Sequence, residues 1–146
     1  MGARDWHVAR AKRHLEVAEF LAHAGHYDWA GVALFYSAHQ WIHSSLAGEP
    51  SLPRDERHPR KHTAPAGLEN GGRGTSQLVA ALYANVSHAY RSLFDFSHRT
   101  RYDVQALSQG LGEEQLWRLL FAQYSAVWQH CESLNKTRGK ISTQAP

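Results

Sequence analysis

The stretch Tyr27 to Leu46, YDWAGVALFYSAHQWIHSSL, leaves the chain little choice of fold. Trp29, Val32, Ala33, Phe35, Tyr36, Ala38, Trp41, Ile42 and Leu46 cover most of the circumference of a helix. A helix apolar nearly all round is one that other helices surround. Asp28 is placed to cap its free N–H groups, and Tyr27 and Val32 are spaced for a hydrophobic staple. Gly48 and Pro50 stop it, since glycine tolerates a left-handed closing residue and proline cannot continue the ladder. Ser37, His39, Gln40 and His43 are polar groups on this buried rod, and each needs a partner.

The flanking sequence supplies the surrounding helices. From Asp5 to Ala24, Val8, Ala11, Leu15, Ala18 and Ala22 recur at alternating three-four spacing, one face of a helix. Lys12 and Glu16 are spaced to pair on its solvated side. The short link at Gly25 makes the first two helices antiparallel neighbours. Ser76 to Phe96 reads as one amphipathic helix capped by Thr75 or Ser76, with the seam Val79, Leu82, Val86, Ala89, Leu93 and Phe96. After a break at Gly110 and Gly112, Leu116, Leu120, Tyr124, Val127, Cys131 and Leu134 mark the last helix. Trp117, Phe121 and Trp128 form a second ridge on it, suited to a dimer face. From Asn135 the chain reads as a frayed basic tail. No strand alternation, internal repeat or glycine-rich phosphate loop is visible. The expected architecture is all-α: an up-and-down bundle of four or five helices with one long loop between the second and third long helices. The 146 residues make one domain, 1–146, with its core at about 5–135 and a basic tail at 136–146.

Gly48 to Gly74 is that loop. Pro50, Pro53, Pro59 and Pro65, with Gly67, Gly71, Gly72 and Gly74, exclude a long helix from it. Within it RDERHPRKH gathers Arg57, His58, Arg60, Lys61 and His62, residue types that grip phosphate. The plain alternative is a solvated loop. The formal charge of +3, with 11 histidines in reserve, permits an RNA or nucleotide partner without requiring one. No apolar run is long enough to cross a bilayer and Met1 to Arg13 is too charged for a signal sequence, so a cytoplasmic setting is expected. The single cysteine, Cys131, falls at an apolar helical position and reads as a buried inert thiol.

An aromatic and alanine-rich second helix, FYSAHQWIHSSLA, precedes a loop with KHT, an amphipathic helix, and TRYDV ahead of the last helix. This layout resembles the HEPN family (higher eukaryotes and prokaryotes nucleotide-binding), chiefly through Thr100, Arg101 and Tyr102 and the helix before Gly48. The resemblance implies an α-bundle that often dimerises through its helices. It also implies one of two activities. One is a metal-independent ribonuclease, needing no cofactor, of a toxin–antitoxin or defence system, with an Arg–x(4–6)–His motif. The other is a non-catalytic adaptor or nucleotide-binding module, often beside a nucleotidyltransferase partner. Arg91 and His98 match the motif spacing, as do Arg57 and His62 in the loop. Residues seven apart lie about 20° apart in projection, so Arg91 and His98 share a helical face.

Metal-free RNA cleavage needs a proton acceptor, a proton donor and a cation for the phosphoryl oxygens. Histidine suits the first two and arginine the third. On this reading His98 moves the proton, Arg91, Arg99 or Arg101 holds phosphate, and Tyr102 stacks on a base or donates to phosphate. The competing structural expectations are ion pairs of Arg91 with Asp95 and of Arg101 with Asp103. A separate possibility is a metal site. His39 and His43, four apart on the central helix, point the same way, with His14, His88 or Glu16 to complete the set. Against this, no Glu-x-x-His occurs on any helix, and buried histidines more often bond tyrosine or serine.

Overall fold

The computed structural model describes residues 2–62, 73–103 and 113–144. Gly67, Gly71, Gly72, Pro65, Val104, Gly110 and Gly112 lie outside them. Among the described residues the protein is all-helical: α1 Ala3–His23, α2 Tyr27–Ala47, a 3-10 turn Arg54–Glu56, α3 Thr75–Leu82, α4 Ala84–Tyr102 and α5 Glu113–Gln144. No helix among them is long and apolar enough to cross a membrane.

The apolar rod takes the central position its composition demands. α2 packs against α1, α4 and α5, while α3 packs on α4. Leu34, Phe35, Ala38, Ile42 and Leu46 on α2 are fully buried, together with Ala11 and Ala18 of α1, Leu93 of α4 and Val127 and Cys131 of α5. Small residues set the close approaches. A Cβ on Gly31 would collide with the ring of Phe96 on α4. Burial pushes the Cys131 thiol up to about 12, as suits an inert core residue. Trp117, Phe121 and Trp128 lean on this same core at intermediate exposure.

Several local expectations are corrected. Asp28 lies inside the first turn of α2, where its Oδ1 accepts from the Trp29 N–H at 2.8 Å; the N-cap is His26, without a side-chain bond. Trp29 is 51% exposed and does not join the buried face. Gly48 closes α2 at φ −107°, with no left-handed residue; the left-handed glycine is Gly25, at φ 85°, between α1 and α2. On α1 the pair that forms is Arg13 with Glu16, at 3.2 Å, in place of Lys12 with Glu16.

The third expected helix is two helices. Tyr83, 3% exposed, breaks the run at φ −124° and ψ 50°. Its hydroxyl donates to Oε2 of Glu49 at 2.9 Å, a bond that continuous helix geometry would have to satisfy as well as its own ladder. α3 is not capped by Thr75 or Ser76 side chains. Their backbone N–H groups donate to the carbonyls of Lys61 and His62, each at 2.8 Å. This requires glycine before them, because a Cβ on Gly74 would lie 2.7 Å from the His62 carbonyl oxygen. SHRTRY, Ser97 to Tyr102, is the end of α4, which runs past the Phe96 limit expected for that helix. The basic tail is helical as far as Gln144. In it Arg138 donates to the Ser45 carbonyl and to the Glu49 carboxylate.

Candidate functional site

The polar stripe of α2 faces an unusual set of neighbours. Tyr36, His39 and His43 follow three-four spacing, so they stack along one side of the helix. His39 and His43 have ring centroids 4.2 Å apart. His7 of α1 lies 5.4 Å from His43. His62, within the loop, lies 4.6 Å from His39. His58 stacks on His7 at 6.4 Å. Imidazoles from two helices and the loop thus meet in one cluster, and aromatic rings wall it: Phe35 lies 5.6 Å from His62, and so does Phe94.

Most of the inner nitrogens have partners. His39 Nδ1 is hydrogen-bonded to the Tyr90 hydroxyl at 3.0 Å, and His43 Nε2 to Thr75 Oγ1 at 3.1 Å. His7 Nδ1 bonds Gln40 Oε1 at 2.7 Å. His62 differs: its Nδ1 is buried without a hydrogen-bond partner among the described residues. Burial makes the charged imidazolium costly, and neighbouring imidazoles add to the penalty. His43 is driven down to about 3, and His39 lies well below its usual value. His62 is lowered by burial and then by the positive charge of Arg101. The folded chain thus disfavours the charged form at His7, His39, His43 and His62, with Arg101 as the adjoining cation.

Arg101 is held firmly. Its Nε donates to the Ser97 carbonyl and its Nη1 to the Tyr36 hydroxyl, both at 3.1 Å. Its guanidinium lies 5.7 Å from the Tyr36 ring centroid and 5.2 Å from that of Tyr102. Tyr102 is 69% exposed, so this corner opens to solvent. His98, also exposed, lies 5.0 Å from Tyr102 and 6.2 Å from Phe94, ring to ring. Arg101, Tyr102 and His98 thus share one end of α4, and Phe94 spans from His98 to His62.

The other candidates disperse. Arg91 lies at a separate cleft between α3 and α4, together with Asp95. No ion pair joins Arg91 to Asp95, so the structural partner expected for Arg91 is absent among the described residues. Arg99 is exposed on the last turn of α4. In the loop, Arg57 Nε donates to the Leu52 carbonyl at 3.0 Å, which commits it to loop structure. His58, Arg60 and Lys61 line a pocket of about 420 Å³ with Asp55, Glu56 and Arg73. Arg73 pairs there with Glu56 at 3.2 Å.

No group of three or more His, Cys, Asp or Glu among the described residues is arranged to hold a metal ion. His39 and His43 do point the same way, but each gives one nitrogen to a hydroxyl. His7 and Tyr36 are the site residues that the sequence reading passed over. The signal for His7 was present, since His7, Ala11, His14 and Ala18 keep the three-four spacing of the buried α1 stripe. Comparison with known protein families, with characterised proteins and with solved structures finds no match to this chain.

Proposed function

We propose that the chain is a HEPN-like domain, built as an up-and-down bundle, that acts on RNA at the corner where Arg101 meets the imidazole cluster. The observation that carries this reading is Arg101 itself. Its guanidinium is fixed between two tyrosine rings, close enough to oppose the charging of His62, whose buried Nδ1 has no partner among the described residues. A fixed guanidinium suits bidentate capture of a phosphate. An imidazole kept neutral suits removal of a proton.

In the reaction so framed, His62 takes the proton of the ribose 2′-hydroxyl. The 2′-oxygen bonds to the adjacent phosphorus, and the bond from phosphorus to the 5′-oxygen breaks. The leaving 5′-oxygen receives a proton from His98, the exposed imidazole. The products are a 2′,3′-cyclic phosphate and a 5′-hydroxyl end, with no metal needed. Arg101 offsets charge on the phosphoryl oxygens, and Tyr102 offers its exposed ring to a base. Arg60, Lys61 and Arg99 extend the cationic path for the strand. A homodimer would place two such corners on one strand.

A second reading, a nucleotide-binding adaptor without catalysis, is favoured by the depth of the cluster. His39 and His43 are too reluctant to protonate to serve as acids near neutral pH. Incubation of single-stranded RNA with the protein in EDTA separates the two. Cleavage to cyclic phosphate ends, lost in both Arg101→Ala and His62→Ala, supports the nuclease. Binding without cleavage, lost in Arg101→Ala, supports the adaptor. RNA neither bound nor cut by the unaltered chain ends the nuclease, and the absence of nucleotide binding as well ends the adaptor.

A further inference from the structure

The cleft between α3 and α4 is a second cavity, of about 290 Å³, lined by Ser76, Gln77, Tyr90, Arg91, Phe94 and Asp95 among others. That volume is at the small end of the range of about 300–1,000 Å³ typical of small-molecule sites. Phe94 belongs to both places, since it lines this cleft and its ring lies 5.6 Å from His62. Arg91 and Asp95 are one helical turn apart and both exposed. Opposite charges at that spacing can pair across a helical turn. Here they do not, and neither has a hydrogen-bond or ion-pair partner among the described residues. An acceptor-only group and a donor-only group therefore stand unpaired over an aromatic wall.

This is the complement of one nucleobase. A carboxylate accepts two hydrogen bonds side by side, and a guanidinium donates two. Guanine alone among the RNA bases sets two donors, N1–H and N2–H, next to each other on one edge. It carries two acceptors, O6 and N7, on the next edge. Adenine and cytosine place an acceptor beside their amino group, which a carboxylate repels. Uracil offers one N–H between two carbonyls. We infer that the cleft between α3 and α4 is a guanine-binding site. Asp95 accepts from N1–H and N2–H, Arg91 donates to O6 and N7, and Phe94 lies against the base. The guanine comes from an RNA strand or from a free nucleotide, and the inference rests on the RNA reading only for the first source.

The test is equilibrium dialysis of the full chain with guanosine, GMP and AMP. Guanosine and GMP should bind at least about tenfold more tightly than AMP. Asp95→Asn should abolish that preference, and Ala80→Phe, which fills the cleft, should abolish binding. Equal uptake of GMP and AMP, no uptake of guanosine or GMP, or a preference that survives Asp95→Asn overturns the inference. Guanosine lacks phosphate, so its binding is read apart from RNA. A chain that takes up guanosine but ignores RNA keeps the guanine site, with a free nucleotide as its ligand, and loses the nuclease. A chain that cuts guanosine- and adenosine-containing oligonucleotides alike, with no guanosine uptake, does the reverse.

Discussion

Arg101 donates from Nη1 to the Tyr36 hydroxyl over 3.1 Å, which ties the last turn of α4 to the middle of α2. The bond aims the guanidinium at the imidazole cluster, where its charge helps hold His62 neutral. Tyr36→Phe removes that aim and leaves the charge. RNA binding should weaken by a few-fold, against at least about tenfold for Arg101→Ala, since one loses orientation and the other the charge-assisted bonds. Filter binding at two salt concentrations checks it. The salt slope should fall by about one unit in Arg101→Ala and stay put in Tyr36→Phe.

The histidines make stability depend on pH with a definite sign. His39 and His43 are harder to protonate in the folded chain than the usual 6.5, and His43 titrates at about 3. The unfolded chain therefore binds protons that the folded one refuses once the pH drops below 6.5. Stability is fully present above that value and is lost as pH falls, by up to about 1.4 kcal/mol per pH unit for each imidazole. Glu49 enters only below its ordinary 4.5, so the span from neutrality down to that point isolates the imidazoles. Urea unfolding across this span should show the slope, and His43→Gln should flatten it.

Glu49 and Arg138 form the least replaceable polar contact. The Glu49 side chain is 9% exposed and that of Arg138 is 19% exposed. Burial alone would raise the Glu49 carboxyl, but hydrogen bonds from Ser51, Tyr83 and Arg138 hold it below the ordinary range. Arg138→Ala strands this carboxylate and should cost about 3 kcal/mol in denaturant unfolding. Glu49→Gln, which removes the charge, should cost less. A chain shortened before Arg138 should be destabilised as severely as the point variant.

Gly74 should resist substitution although its backbone, at φ −76°, suits any residue. Alanine there meets the His62 carbonyl and must push the loop from the start of α3. The expected cost is about 2 kcal/mol, with His62 displaced as well. Activity or RNA binding should fall alongside the thermal midpoint, whereas Gly139→Ala, inside α5 with open space for a Cβ, should leave RNA binding unchanged and raise the midpoint slightly.

How much of this was visible in the sequence follows the range of the interactions. The stripes of α1, α2 and α5 were legible because periodicity is local: Ala11 and Ala18, Phe35 and Ile42, Tyr124 and Cys131 are buried as their spacing required. The break at Tyr83 was not, because the apolar pattern runs straight through it and the partner of its hydroxyl, Glu49, lies on another segment. The helical tail was missed for the same reason, since the partners of Arg138 are Ser45 and Glu49. At the site, the His39 and His43 pair was readable from a four-residue step. The arrival of His62 from the loop and Arg101 from α4 depends on tertiary packing, which no spacing encodes.

The bonds from Thr75 and Ser76 back to Lys61 and His62 have a consequence for the imidazole cluster. They join the two ends of an excursion to each other, with the Arg73 to Glu56 ion pair as a second clasp. His62 is thereby tethered to the start of α3 through its own backbone. Loss of either clasp should reach the imidazole cluster through the main chain, without any change to a side chain of the working corner.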